Sequence, residues 1–129
     1  MSPELTYLTY AVILLVVHMF VQATFSGLSK GLDWAIGSQD EARDPSVVAG
    51  RLERALTNYV YNLVAFVALA LTLHATGLGT DSTALGAAIW FWARVAYAPA
   101  FASGIPFTRS VAWFVSLAGL ALMIVPLLG

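Results

Sequence analysis

The sequence predicts an all-α fold, an integral membrane four-helix bundle in a single domain. Three observations predict it: an apolar composition, long stretches without charge, and four apolar segments of membrane-spanning length. The chain of 129 residues is 60% hydrophobic and 10% charged, whereas soluble domains are about half apolar and a quarter charged. A chain of this length favours one domain.

The charge-free stretches define the predicted helices. No Asp, Glu, Lys or Arg occurs in residues 5–29, 55–80 or 110–129, and Arg94 is the only charge in 82–108. A helix needs about 20 apolar residues to cross a bilayer. The sequence therefore predicts four transmembrane helices, at about residues 5–28, 47–73, 83–103 and 106–128. Because Glu4 replaces the basic start of a signal peptide, we expect the first to be a helix of the mature protein.

Capping residues mark the expected helix ends. Ser46 is a suitable N-cap for the second helix, and Asp81 or Ser82 for the third. Gly104 suits the position after the third helix, and Pro106 the first turn of the fourth. The third and fourth helices should therefore form a tight hairpin.

The distribution of Lys and Arg predicts the orientation. Lys30 and Arg43 lie in the long polar connection, residues 29–46, with further arginines just after it, and Arg109 lies beside the short turn between the third and fourth helices. Connections rich in Lys and Arg face the cytoplasm. We expect both termini outside and the 29–46 loop in the cytoplasm.

Several functional classes are disfavoured. The net charge of −1 gives no basic surface for nucleic acid. The chain has no cysteine, which removes disulfides and thiolate chemistry of its own. Its two histidines, His18 and His74, fall on opposite sides of the membrane, so no metal site is expected. A small antiporter would require a carboxylate deep within a transmembrane helix, and this sequence has none there.

The second helix carries polar residues into the membrane. Arg54 and Asn58 share one face because they are four residues apart, and Tyr61 and Asn62 extend that face by a turn. Polar groups facing lipid are costly unless paired, so this face should point into the bundle or toward another subunit. An interhelical hydrogen-bond clamp is the structural alternative to a ligand site. Arg51 falls in the interface, where snorkelling explains it.

The third helix carries the deepest charge. Arg94 and Tyr97 lie on one face, and Arg94 is about 14 Å from the cytoplasmic end at 1.5 Å per residue. An ionisable residue at this depth suggests function. Its expected partner is Glu53 or, alternatively, a bound anion.

The fourth helix opens with further polar residues. Arg109, Ser110 and Trp113 fall in its first two turns, and helix N-termini favour anions. Together with Arg54 and Arg94, Arg109 would form a positive cluster in the cytoplasmic half of the membrane. The sequence predicts an anionic ligand there.

Two stretches, "RLERALTNYVYNLVAFVALAL" and "ARVAYAPAFASGIPFTRSVAW", resemble the superfamily of membrane-associated proteins in eicosanoid and glutathione metabolism, MAPEG. The likeness covers nearly the whole chain and is closest to a bacterial branch, which implies the bacterial inner membrane. Characterised members are homotrimers that bind glutathione between subunits near the cytoplasmic face. The resemblance implies glutathione as cofactor and a lipophilic small molecule, arriving through the lipid bilayer, as substrate.

The resemblance also assigns roles. It implies glutathione contacts at the following positions: Arg54, Asn58, Arg94 and Tyr97. Arg109 resembles the arginine that stabilises the glutathione thiolate, and Trp113 would line the pocket. Tyr61 stands where the family usually has a glutamate that binds the glutathione amino group. Asn62 stands where a tyrosine is frequent, and Phe101 replaces a further tyrosine in the third helix. Losing the carboxylate removes a charge-assisted contact, which weakens the expected glutathione affinity.

Two functions follow. The first is a glutathione-dependent transferase or peroxidase acting on lipophilic electrophiles, with Arg109 as the catalytic residue. The alternative is a non-catalytic protein of the same fold that binds a lipid or another anion, or serves as a subunit of a larger complex; the tyrosine at position 61 favours it.

Overall fold

The computed structural model describes all 129 residues, and its regular secondary structure consists of helices without strands. The elements are α1 (Pro3–Lys30), α2 (Leu32–Ile36), α3 (Val47–Thr76), α4 (Asp81–Ser103), α5 (Thr108–Ile124) and a 3₁₀ helix (Val125–Leu128). The all-α prediction is confirmed. The short α2, within the long connection, was not predicted.

Three helical segments are long and apolar enough to cross a membrane: α1, α3, and α5 together with the 3₁₀ helix. The 23-residue α4 is not among them. It packs against α1, α3 and α5 and buries Trp90, Arg94 and Tyr97, so its one charged side chain away from the helix ends lies inside the bundle. The count of four transmembrane helices stays a prediction.

The caps were predicted in part. Ser46 caps α3 as expected, since its hydroxyl accepts from the Ala49 N–H. The prediction of Asp81 or Ser82 as the cap of α4 was wrong. The cap is Thr80, because the side chains of Thr80 and Thr83 each accept a hydrogen bond from the other's backbone N–H.

The hairpin between α4 and α5 also differs from the expectation. Gly104 ends α4 in the left-handed conformation, with a φ of 71°, as its position predicted. Pro106 is not in the first turn of α5, because Phe107 adopts a φ of 69° and the helix begins only at Thr108. Residues 104–107 therefore form the turn itself.

The connection between α1 and α3 is held by Arg43. Its Nη1 donates to the Lys30 carbonyl at 2.6 Å, and the side chain pairs with Asp33 and Glu41. The hydrogen bond from Arg43 is the main cause that lowers the pKa of the exposed Asp33 carboxyl. These contacts hold the connection against the carboxyl end of α1 and against α2.

The core lies between α1, α3, α4 and α5 and has aromatic rings at its centre. Phe66 and Trp90 stack with ring centroids 4.0 Å apart. The Tyr59 ring packs beside Trp90, and its hydroxyl donates to the Ala11 carbonyl at 2.6 Å. At the opposite end of the bundle, the Thr83 hydroxyl donates to the buried Glu4 carboxylate at 2.5 Å and ties α1 to α4. These contacts fix the rotation of α3 and α4, and therefore which of their faces meet.

The backbones of α4 and α5 approach each other at two glycines. A Cβ at Gly119 would lie 2.6 Å from the Gly86 carbonyl oxygen and 2.7 Å from the Trp90 nitrogen. Close approach of this kind is the usual role of small residues in membrane helix packing. The α4–α5 hairpin therefore depends on the absence of side chains at these positions.

Substitution Gly119→Ala should destabilise the protein by about 1–3 kcal/mol, because the helices must separate to admit the methyl group. The measurement is the thermal unfolding midpoint in detergent. Gly50→Ala is the matched control, since a Cβ there meets its nearest neighbour, Arg54 Nη1, at 3.4 Å and alanine favours the helix. Equal stability of the two variants would contradict the close-packing argument.

Candidate functional site

The polar face of α3 borders an open groove. This α3 groove, of about 440 Å³, is lined by Glu53, Arg54, Thr57, Asn58 and Tyr61. Tyr61 is 74% exposed. The polar face of α3 thus meets a space that a second subunit or a ligand can occupy.

A second space, of about 300 Å³, lies between α3, α4 and α5. This interhelical cavity is lined by Asn58, Tyr97, Arg109, Ser110, Trp113 and Phe114. Asn58 lines both spaces. The two spaces are therefore neighbours on either side of one amide side chain.

The orientation of the Asn58 amide is fixed by two donors. Its Oδ1 accepts from Arg94 Nη2 at 2.9 Å and from Asn62 Nδ2 at 3.3 Å. The Asn62 amide also donates to the Asn58 carbonyl at 3.0 Å. Because an amide oxygen placed in this way leaves the NH₂ group free, Asn58 Nδ2 is available as a donor to a ligand.

Arg94 lies behind the cavity wall rather than in it. The residue is 2% exposed, and its Cζ lies 4.1 Å from the Tyr97 ring centroid and 5.6 Å from that of Tyr59. Its Nε and Nη1 have no protein partner. Of the predicted site residues, Arg94 and Asn62 line neither space; both act on the site through Asn58.

The expected Arg94–Glu53 ion pair is wrong. Glu53 Oε1 lies 3.4 Å from Lys30 Nζ and 3.4 Å from Gln22 Nε2 instead. The reason is helical geometry: Glu53 faces α1, whereas the face of Asn58, five residues later, meets α4. Arg94 is stabilised by Asn58 and by the Tyr97 and Tyr59 rings.

Arg54 and Arg109 share one aromatic ring. Their Cζ atoms lie 5.6 Å and 5.0 Å from the centroid of Phe101, which is half-buried at the end of α4. The ion pairs of the structure involve only Lys30 and Arg43 as cations, so the arginines of α3, α4 and α5 have no acidic partner. Arg54, Arg94 and Arg109 are linked through Asn58, Tyr97 and Phe101 in one region, and none of the three forms an ion pair with an acidic side chain.

The start of α5 adds to this positive field. Its first residues, Thr108, Arg109 and Ser110, begin a helix that no side chain caps. Unpaired N–H groups and the helix dipole favour an anion at such an end. Arg109 and Ser110 line the cavity at this point.

Arg51 is held elsewhere. Its Nη1 donates to the Ala102 carbonyl at 3.3 Å, and its guanidinium packs against Gly104. Arg51 therefore caps the carboxyl end of α4, which is a more specific role than the interfacial snorkelling predicted for it.

Some lining residues escaped the sequence analysis. Thr57 and Phe114 were not predicted, although Thr57 shares the Arg54 face at three-residue spacing and Phe114 follows Trp113. Glu53 was assigned to the wrong partner. Helical periodicity alone would have found Thr57; nothing in the sequence distinguishes Phe114 from the other lipid-facing aromatic residues.

The arrangement suits a polar, anionic molecule. No group of three His, Cys, Asp or Glu side chains lies close enough to bind a metal. The site instead offers guanidinium groups, an amide donor, a hydroxyl and a helix N-terminus beside the Trp113 and Phe114 rings. These groups can bind carboxylates and stabilise a negative charge that develops next to an apolar surface.

The chain matches the model of a known protein family. The MAPEG family model matches residues 7–129, essentially the whole chain. A search of curated proteins found no match. The match covers every residue of the α3 groove and the interhelical cavity. The resemblance drawn from the helix motifs is confirmed, and this integral membrane protein belongs to the MAPEG family.

Proposed function

We propose that the protein is a glutathione-dependent transferase or peroxidase that acts on lipophilic electrophiles. The observation that carries this proposal is the interhelical cavity, where Arg109, Ser110 and the Asn58 amide meet without an acidic partner. Glutathione has two carboxylates and a thiol that becomes anionic, so it supplies the missing negative charge. Membership of the MAPEG family supports the same ligand.

Arg109 has the role of stabilising the thiolate. A free cysteine thiol has a pKa of about 8.5 and is mostly protonated at neutral pH. A guanidinium and a helix N-terminus beside the sulfur favour the anion, which is the nucleophile. In a transferase reaction, the thiol first loses its proton to solvent; the thiolate sulfur then forms a bond to the electrophilic carbon while the leaving group departs with the electrons of the bond that breaks.

The apolar substrate would reach the sulfur from the membrane. Trp113 and Phe114 line the cavity, and Phe114 is exposed on the outer face of α5. This face provides a lateral entrance from lipid, so substrate and glutathione meet at the wall formed by these two rings.

Assembly and orientation are part of the proposal. We place the glutathione site between subunits of a homotrimer, because the α3 groove is open along one side and a neighbouring chain could close it. All four long helices, including α4, would cross the bacterial inner membrane, with both termini outside. Lys30, Arg43 and Arg51 then lie on the cytoplasmic side, as the positive-inside rule requires.

The test is isothermal titration of the detergent-solubilised protein with glutathione, together with the ultraviolet absorbance of the bound thiolate. We expect saturable binding and a thiolate signal at neutral pH, followed by turnover of model electrophiles. S-methylglutathione is the control, because it can occupy the site without forming a thiolate. Absence of binding at millimolar glutathione would reject the proposal.

A second function, a non-catalytic anion or lipid binder of the same fold, is favoured by Tyr61. This phenol lines the α3 groove where a carboxylate would help to hold glutathione. Mass spectrometry of the purified protein distinguishes the two functions: a co-purified anionic lipid or a stable protein partner, with no turnover of electrophiles, would support the binder.

A further inference from the structure

Glu53 brings a negative charge to the α3 groove next to the positive charge of Arg54. The two residues are neighbours in sequence and line the same groove, yet they form no ion pair with each other. A groove that presents both signs of charge, separately, is complementary to a zwitterion. An α-amino acid group carries an ammonium and a carboxylate on one carbon and matches this arrangement.

Only one of the two carboxylate oxygens of Glu53 has a hydrogen-bond partner within the protein. Lys30 Nζ and Gln22 Nε2 both contact Oε1, each at 3.4 Å, and Oε2 has no partner. The side chain of Glu53 is 36% exposed. The contacts through Oε1 hold the carboxylate in place while Oε2 remains free to accept from a ligand.

From this geometry we propose that Glu53 binds the ammonium of a ligand's α-amino acid group, while Arg54 binds the adjacent carboxylate. The inference rests on the proposed function, since the γ-glutamyl end of glutathione carries this group. Glu53 would thereby supply the carboxylate that Tyr61, two helical turns further along the groove, does not provide. It is a specificity-determining residue, which selects ligands with a free amino group.

The test compares glutathione with N-acetylglutathione, in which the ammonium is replaced by a neutral amide, by isothermal titration of the solubilised protein at neutral pH. Hydrogen bonds to charged groups are strong enough that acetylation should weaken binding about tenfold to a hundredfold. In the Glu53→Gln variant, the affinity for glutathione should fall by a similar factor. The affinity for N-acetylglutathione should not change, so the preference for glutathione disappears.

The matched control is Lys30→Gln. It removes the same Lys30–Glu53 ion pair but leaves the groove carboxylate in place, so the preference for glutathione should persist. If both variants lose the preference equally, Glu53 has only a structural role through its ion pair, and the inference is overturned.

The failure of this inference is distinct from the failure of the proposed function. A wild-type protein that binds both ligands equally would overturn the role of Glu53 while leaving glutathione as the ligand. A Glu53→Gln variant that keeps the full preference would do the same. A wild-type protein that binds neither ligand would overturn both proposals.

Discussion

Substitution Arg109→Ala should abolish the thiolate absorbance of bound glutathione and lower turnover by about 100- to 1000-fold. This is the loss typical of removing one group that stabilises a developing anion. Arg109 is exposed at the first turn of α5, has no acidic partner and lines the cavity with Ser110. Its removal takes away charge from the site and the contact with the half-buried Phe101 ring, but no buried side chain. The measurement is ultraviolet difference absorbance with glutathione, with size-exclusion chromatography to check assembly.

Two controls separate this effect from a general loss of positive charge. Arg109→Lys retains the charge at the same position and should keep part of the thiolate signal. Arg43→Ala removes an arginine that is already paired in the α1–α3 connection, and it should leave the signal unchanged. A fully assembled Arg109→Ala protein with a normal thiolate signal would exclude Arg109 as the stabilising group.

The fold could be predicted because the chain's few charges interrupt long apolar segments. The break at residues 29–46, the cap at Ser46 and the left-handed Gly104 are local signals that depend on neighbouring residues alone. The wrong cap for α4 arises because local signals of this kind do not distinguish between neighbouring residues of similar type. Asp81 is as good a cap by type as Thr80, and only the reciprocal hydrogen bonds with Thr83 select the actual one.

The candidate site was less predictable because it depends on how the helices are rotated. The four-residue spacing of Arg54 and Asn58 places them on one face, and the structure puts both in the α3 groove. The residue spacing along α4, however, does not indicate which face of α3 packs against Arg94. Charge alone therefore pointed to Glu53 as the partner of Arg94, whereas Asn58 is the partner that helix packing provides.

The position of Arg94 behind Asn58 makes a prediction about stability. Asn58→Ala should destabilise the protein by about 3 kcal/mol, because it removes the only hydrogen-bond acceptor of a buried guanidinium whose Nε and Nη1 are already unpaired. Arg94→Met should change stability by less than about 1 kcal/mol, since apolar replacement of a buried charge is often neutral. Unfolding midpoints in detergent would rank the variants.

The double variant Asn58→Ala/Arg94→Met distinguishes this mechanism from simple loss of packing. Once the charge is gone, removing its acceptor costs little, so the double variant should be more stable than Asn58→Ala alone. Additive losses would show that Arg94 does not depend on Asn58.

The Arg94→Met variant should bind glutathione about tenfold more weakly than the wild-type protein, because a charge-assisted hydrogen bond no longer fixes the Asn58 amide. A positioning residue is recognised by this separation, in which ligand affinity falls while stability is maintained.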